Sequence, residues 1–160
     1  MKPVIPYAWQ PRNSTLYLPA KPAKRLNVLG FISRTTPSLF HQHVGTVNTE
    51  IVINAFDQFA KHYNATCYQA TKRPCIVVLD NASMHRSRAF REKVDDWMAY
   101  GVCLHYLPPY SPELNRIERL WRQIKYHYLS PSAYTSFETL TAAVANVLEG
   151  CSNGRLKTFA

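Results

Sequence analysis

Acidic residues are scarce in this chain. Only 10 of its 160 residues are Asp or Glu, against 19 that are Lys or Arg, and the formal net charge is +9. A positive excess favours an acidic polymer as the partner, although many basic proteins bind nothing specific. Hydrophobic residues make up 46% of the chain and aromatic residues 12%, which excludes a disordered polypeptide and predicts one globular domain.

Cysteine pairs at the spacing of a metal site are also lacking. The four cysteines occupy positions 67, 75, 103 and 151, with no CxxC pair and no histidine at zinc-finger spacing. A structural zinc site is therefore not expected, and neither is a disulfide framework in a chain of this size. The cysteines are predicted to be reduced thiols.

Long apolar runs are missing as well. No stretch approaches the roughly 20 apolar residues of a membrane-spanning helix. Residues 1–6 lack the apolar core of a signal peptide. We therefore expect no membrane partner and a cytoplasmic location, with nucleoid association if the protein binds DNA.

Prolines, in contrast, are concentrated at the start of the chain. Five of the eleven prolines fall within residues 1–22. This density disfavours both a helix and a central strand. Residues 1–24 are predicted to form an extended, Pro-rich arm.

Strand patterns begin after this arm. Residues 26–33 and 38–44 are typical of a β-hairpin, and residues 75–80 and 102–107 of two further strands. Helical patterns lie between and after the later strands. A hairpin followed by alternating helices and strands indicates a mixed α/β fold over residues 25–150, with residues 151–160 as a tail.

Two helices are predicted before the last strand. Asn48 or Thr49 can cap the first, and a polar loop is expected to follow it over residues 64–73. The second is expected to end at Gly101, because glycine favours the left-handed conformation that closes a helix. Its expected buried face consists of Phe90, Val94, Trp97 and Met98.

Two more helices are predicted after the last strand. One covers about residues 114–129, and its expected buried stripe consists of Ile117, Leu120, Trp121, Ile124 and Tyr128. Thr135 and Glu138 have the spacing of a capping box and are expected to open the other.

Asp80 is the first candidate for chemistry. It follows the apolar run 75–79 and precedes Asn81. In α/β sheets, functional groups gather beyond the carboxyl ends of strands, so Asp80 is a candidate metal ligand and catalytic residue. The alternative is structural, since Asp-Asn is a favourable turn sequence.

Glu118 is the second candidate for catalysis and metal binding. It follows Ile117 and so projects about 100° from the apolar stripe of its helix, where it could meet an acid from a strand end. The alternative is a surface ion pair with Arg122 or Arg119, which contributes only a few tenths of a kcal/mol. Mg²⁺ prefers carboxylate and phosphate oxygens, so two acids in a basic protein suit it.

Other polar residues are weaker candidates. The cationic residues of the same helix recur at i+3 and could lie along a phosphate backbone, although a solvated helix face is an equal alternative: they are Arg116, Arg119, Arg122 and Lys125. Lys24 and Arg25 are further weak candidates for DNA binding. Asn81, His85 and Asn115 are candidates for contacting DNA or supporting a metal ligand, although a plain turn histidine explains His85 equally well.

Two segments carry a resemblance to a known family. They are Val77-Val78-Leu79-Asp80-Asn81-Ala82-Ser83-Met84-His85 and Leu107-Pro108-Pro109-Tyr110-Ser111-Pro112-Glu113-Leu114-Asn115-Arg116-Ile117-Glu118-Arg119-Leu120-Trp121. Together they closely resemble the DDE transposases of the mariner-like superfamily, and most of all its bacterial insertion-sequence branch, often described as DDE superfamily endonucleases. Residues 7–11 and 24–30 also resemble that family's early strands. The resemblance covers about residues 5–148.

The resemblance implies a ribonuclease-H-like mixed sheet flanked by helices. It also implies three acids holding two Mg²⁺ or Mn²⁺ ions, cleavage of DNA at the ends of a mobile element, and joining to target DNA. By motif match Asp80 is the second acid and Glu118 the third, although Glu113 lies in the same motif.

One departure from the family's pattern concerns the first acid. The family places it at the end of a strand before the Tyr7-Ala8-Trp9 motif, but residues 1–6 contain no acid. We therefore expect the sheet to lack its first strand and this chain alone to show little or no strand transfer. Association with an upstream transposase segment, or a homodimer, is the corresponding expectation for partners. The alternative function is a catalytically dead remnant that binds DNA or interacts with a transposase.

Overall fold

The structure is a computed structural model that describes residues 12–13 and 24–156. The predicted arm over residues 1–24 lies outside this part of the chain, apart from residues 12, 13 and 24. The described residues form two compact units. One comprises residues up to Thr46 together with those from Arg119 onward, and the other is Val47–Glu118.

Two short sheets are found in the described residues. Strands β1 (Leu26–Phe31) and β2 (Leu39–Val44) pair in antiparallel register, with Leu26 opposite Val44. Strands β3 (Cys75–Leu79) and β4 (Val102–Tyr106) pair in parallel, with Leu79 opposite Tyr106. The predicted mixed α/β class is confirmed.

Helices account for most of the remaining described residues. The α-helices are α1 (Thr49–Tyr63), α2 (Gln69–Thr71), α3 (Arg88–Glu92), α4 (Val94–Ala99), α5 (Arg116–Gln123) and α6 (Phe137–Ser152). Asn64–Tyr68 and Ile124–Tyr128 are π-helical, and Ser83–Arg86, Pro112–Leu114 and Pro131–Tyr134 are 3₁₀ turns. As predicted, Asn48 caps α1, since its side chain accepts a hydrogen bond from the backbone N–H of Ile51 (2.9 Å).

The loop predicted over residues 64–73 is wrong. The chain remains helical from Asn64 through Thr71. Two threonines bond back along this helix, Thr66 to the carbonyl of His62 (2.7 Å) and Thr71 to that of Cys67 (2.8 Å). Their hydroxyls are therefore satisfied inside a helix, as Thr side chains often are.

The cap predicted for the last helix is displaced by one residue. Ser136, not Thr135, caps α6 and accepts a hydrogen bond from the backbone N–H of Thr139 (3.1 Å). Thr139 Oγ1 in turn accepts from the backbone N–H of Ser136 (3.0 Å), which completes a capping box. Helix α6 ends at Ser152 and so includes the first two residues of the segment interpreted as a tail.

The core of the first unit is built around α6 and the segment from Leu120 to Leu129. Its buried members include Leu26, Leu120, Ile124, Leu129, Tyr134, Leu140, Val144 and Leu148. Phe40 and Trp121 pack edge to face at its margin, with their ring centroids 6.1 Å apart.

The core of the second unit is aromatic. Phe56, Phe90 and Trp97 pack together, with ring centroids 4.8–5.1 Å apart. The Trp97 indole N–H donates to Asp57 Oδ1 (2.7 Å). Asp57 therefore satisfies the polar group of a buried side chain. The prediction that Met98 is buried with this group is wrong, because its side chain is 52% exposed. Helix formation is interrupted at Lys93, between α3 and α4, and the face presented by α4 buries Trp97, as predicted, but leaves Met98 exposed.

Gly101 ends the helical segment, as predicted, and permits a first test of this fold. Its φ is +84°, and an added Cβ would lie 2.3 Å from Cδ2 of Tyr68. Gly101→Ala should therefore lower the free energy of unfolding by roughly 2–5 kcal/mol, through backbone strain together with overpacking. Gly154→Ala is the matched control, since Gly154 has φ +70° but no atom within 4 Å of an added Cβ. It should cost about 1–2 kcal/mol. Equal losses in urea denaturation would contradict the close packing against Tyr68.

Candidate active site at the carboxyl ends of β3 and β4

The carboxyl ends of the two parallel strands are joined by hydrogen bonds. The backbone N–H of Leu107 donates to the carbonyl of Leu79 (2.9 Å), which extends the pairing one residue beyond β4. The side-chain amide of Asn81 donates to the carbonyl of Leu107. Asn81 therefore fixes the chain leaving β3 against the chain leaving β4, with Asp80 between two anchored residues.

The carboxylate of Asp80 is held through one of its oxygens. Its Oδ1 accepts a hydrogen bond from the backbone N–H of Ala82 (3.1 Å) and lies 3.1 Å from Nδ1 of His85. The side chain is 50% exposed, and within the described residues Oδ2 has no hydrogen-bond partner. Asp80 thus makes the turn contact of the structural alternative with one oxygen, and its half-exposed side chain leaves the other oxygen without a partner among the described residues.

His85 supports this carboxylate from a largely enclosed position. Its side chain is 18% exposed, and Nδ1 also lies 3.1 Å from the carbonyl oxygen of Asp80. The imidazole packs against Phe90 and Phe56, with centroids 5.4 and 6.3 Å away. The Tyr106 hydroxyl donates to the His85 carbonyl (2.9 Å). The His85 imidazole therefore contacts both the carboxylate and the backbone carbonyl of Asp80 and is itself held by aromatic neighbours.

Sequence reasoning did not find the residues behind His85. The sequence predicts only a strand for Tyr106 and only a buried face for Phe90. Their role depends on contacts between residues far apart in the chain, such as Tyr106 with His85. The apolar periodicity of the segments carries no signal of these contacts.

Glu118 lies in the first turn of α5 and in the same unit as Asp80. Its backbone N–H donates to the carbonyl of Asn115 (3.0 Å), a half-buried residue directly before the helix. The carboxylate is exposed, and within residues 24–156 it forms no ion pair at 4.0 Å or less. The ion pair with Arg122 or Arg119, which was the structural alternative for Glu118, is therefore not formed.

The cationic candidates differ in their surroundings. Arg116, Arg119 and Arg122 are exposed along α5, and Lys125 is half-buried in the π-helical turn that follows. Arg25 is exposed, whereas the Lys24 ammonium lies 5.9 Å from the ring centroid of Phe137.

Lys24 also acts on an acid of α6. Hydrogen bonds from the backbone N–H of Glu138 and from Ser136, together with the charge of Lys24, lower the pKa of the Glu138 carboxyl. Lys24 therefore has interactions within its own unit.

A cluster of three metal ligands is not found in the described part of the chain. No group of three or more His, Cys, Asp or Glu residues there could hold a metal ion. All ten acids of the sequence fall within residues 24–156. The carboxylate oxygens of Asp80 and Glu118 are donors of the type that Mg²⁺ and Mn²⁺ prefer.

Comparison with known proteins assigns the family. Residues 1–141 match the family described as DDE superfamily endonuclease. The chain belongs to this family. It therefore carries an endonuclease domain of the transposase type, whose substrate is DNA, and such enzymes generally use divalent metal ions. Searches of curated proteins and of solved structures found no match. Among the described helices, none has the length and apolarity to cross a membrane.

Proposed function

We propose that this chain is the catalytic region of a DNA transposase from a bacterial insertion sequence of the mariner-like type. In this proposal it cleaves DNA at the ends of the element and joins them to target DNA, inside the cytoplasm and at the nucleoid. The observation that carries the proposal is the Asp80 carboxylate, which is oriented through Oδ1 and open at Oδ2 beyond the end of a parallel strand pair.

Asp80 and Glu118 are the residues proposed to hold the metal and to be catalytic. Both offer carboxylate oxygens without a competing cation among the described residues, apart from the His85 contact to Oδ1. Bound Mg²⁺ or Mn²⁺ would activate the attacking water or 3′-hydroxyl and stabilise the leaving oxygen. His85 and Asn81 would keep the Asp80 carboxylate in place, since residues behind a ligand fix its orientation.

The remainder of the ribonuclease-H-like site is proposed to come from another polypeptide segment. The ten acids of this chain provide no group of three ligands. A third carboxylate, on an upstream transposase segment or on a second copy of the protein, would complete the family's set of acids. We therefore expect little or no strand transfer from this chain alone.

The exposed arginines of α5 are proposed to contact the DNA backbone. Arg119 and Arg122 have exposed side chains on a protein of net charge +9. Each phosphate contact releases condensed counterions, so affinity should fall steeply as salt is raised. Asn115, at the start of α5, is a further candidate for contact with DNA.

The absence of a group of three metal ligands among the described residues also supports a second candidate function. A chain with only two proposed metal ligands could be a catalytically dead remnant that binds DNA or pairs with a complete transposase. Both functions predict DNA binding, and they differ in what the acids do.

Cleavage assays on acid variants distinguish the two functions. Supercoiled DNA is incubated with Mg²⁺ or Mn²⁺ and either this chain alone or this chain co-expressed with the segment encoded directly upstream. Only the co-expressed protein should cleave, and Asp80→Ala or Glu118→Gln should abolish that cleavage. Glu113→Gln is the matched control, because Glu113 is an exposed acid of the same motif. If DNA affinity persists in every variant and no cleavage appears under any condition, the remnant is the correct assignment.

A further inference from the structure

Tyr110 is the most exposed large aromatic residue described in this chain. The residue's exposure is 101% of the reference value, so the ring contacts almost nothing in its own molecule. Aromatic rings normally contribute to folding through the area that they bury. The Tyr110 ring makes no such contribution.

The backbone at Tyr110 is also unfavourable for a tyrosine. Its φ is +57°, in the left-handed region that bulky residues rarely adopt. Tyr110 is one of three non-glycine residues with positive φ in the described part of the chain, the others being Asn13 and Lys72. Backbone conformations of this kind cluster at sites of ligand binding and catalysis.

The segment around Tyr110 is fixed on both sides. Before it, Leu107 is bonded to Leu79 and to Asn81, the two neighbours of Asp80. After it, the Ser111 hydroxyl donates to the carbonyl of Pro109 (3.3 Å), and the N–H of Leu114 donates to the carbonyl of Ser111 (3.2 Å). The chain therefore presents the ring to solvent only three residues from the anchored neighbourhood of Asp80.

We propose that Tyr110 stacks on an unpaired nucleobase of the bound DNA, next to the phosphate that would lie at the proposed metal site of Asp80. The proposal rests on the proposed function for the position of the phosphate. An aromatic face binds bases with little sequence preference, because every base has a π-face. Bases inside an intact duplex are already stacked, so the ligand is a base that is single-stranded or displaced from the helix. The net charge of +9 supplies the attraction for the phosphates on either side.

Binding measurements without metal test this proposal separately from catalysis. The probe is a single-stranded DNA oligonucleotide carrying 5-iodouracil, which photocrosslinks to an aromatic ring stacked on it, and the buffer contains EDTA. Tyr110→Ala should weaken binding by about 5- to 150-fold, the range found for loss of one stacked base. Tyr110→Phe, which keeps the ring face, should bind within about twofold of the native protein. Tyr100→Ala is the control, since Tyr100 is an exposed tyrosine of the same unit and should leave affinity unchanged.

Folding of the variants is checked in the same series. Because the ring is exposed and φ is positive, Tyr110→Gly should unfold at the same temperature as the native protein or at a higher one. Its DNA affinity should nevertheless fall as far as that of Tyr110→Ala. This variant keeps the proposal testable even if Tyr110→Ala proves unstable.

The binding and crosslinking results either support the proposal or overturn it. A crosslink mapped to Tyr110 by mass spectrometry, together with weaker binding of the Gly and Ala variants, supports the proposal even if no cleavage is ever observed. The proposal is overturned if Tyr110→Gly binds the single-stranded oligonucleotide with native affinity, or if the crosslink maps to a different residue. It is also overturned if the Tyr110 variants lose as much affinity for fully paired DNA as they lose for single-stranded DNA. Any of these results would leave the assignment of Asp80 and Glu118 to be judged by cleavage alone.

Discussion

Replacing Asp80 by asparagine should weaken Mn²⁺ binding by more than about 100-fold, because changes to residues that merely support a metal ligand already cost about 10- to 100-fold. The amide oxygen of asparagine can still accept the hydrogen bond that Ala82 donates to Asp80 Oδ1. The turn after β3 should therefore persist, and the loss should come from the missing negative charge. Binding is measured by calorimetry or by the electron paramagnetic resonance signal of free Mn²⁺.

Glu113→Gln provides the control for this experiment. Glu113 is exposed and lies five positions before Glu118. The Glu113→Gln substitution therefore removes one negative charge, as the other two substitutions do, but it removes no proposed ligand. Native affinity in Glu113→Gln, with loss in both Asp80→Asn and Glu118→Gln, is the expected pattern. Equal behaviour of all three variants would show that Mn²⁺ responds to net charge alone.

The second large effect is expected at Phe90. Its side chain is fully buried and packs against Phe56, Trp97 and His85. Phe90→Ala should lower the free energy of unfolding by about 3–5 kcal/mol, through lost burial and the cavity left behind. Urea denaturation followed by tryptophan fluorescence measures this loss, since Trp97 lies in the same cluster.

Met98→Ala is the matched comparison for Phe90→Ala. Met98 was predicted to share the buried face with Phe90, but it is exposed, so its truncation should change stability by less than about 0.5 kcal/mol. A comparable loss in the two variants would contradict the packing described for α3 and α4.

Much of the local structure follows from sequence pattern. The hairpin, the cap at Asn48, the strand before Asp80 and the turn at Gly101 all depend on neighbouring residues, and all four are confirmed. The helical path through residues 64–71 differs from the prediction, because the polar composition of this segment favoured a loop. Thr66 and Thr71 nevertheless fit inside the helix. Their bonds to carbonyls one turn earlier become visible only in the structure.

Part of the candidate site could be proposed from the sequence for the same reason. Asp80 and Glu118 stand out through their position after a strand and in a recognisable motif. The contacts of His85 with Tyr106 and Phe90 could not be predicted, because they depend on how β4 and α3 approach the end of β3. The exposure of Tyr110 was equally invisible, since aromatic residues in a strand-to-helix connection are usually expected to pack.

The most direct test of the site is anomalous diffraction from crystals of this protein grown with Mn²⁺. The assignment predicts a manganese peak bonded to Oδ2 of Asp80 and to a carboxylate oxygen of Glu118, at about 2.0–2.2 Å from each. A manganese ion bound by only one of these residues, with the other carboxylate directed to a different face of the protein, would contradict it.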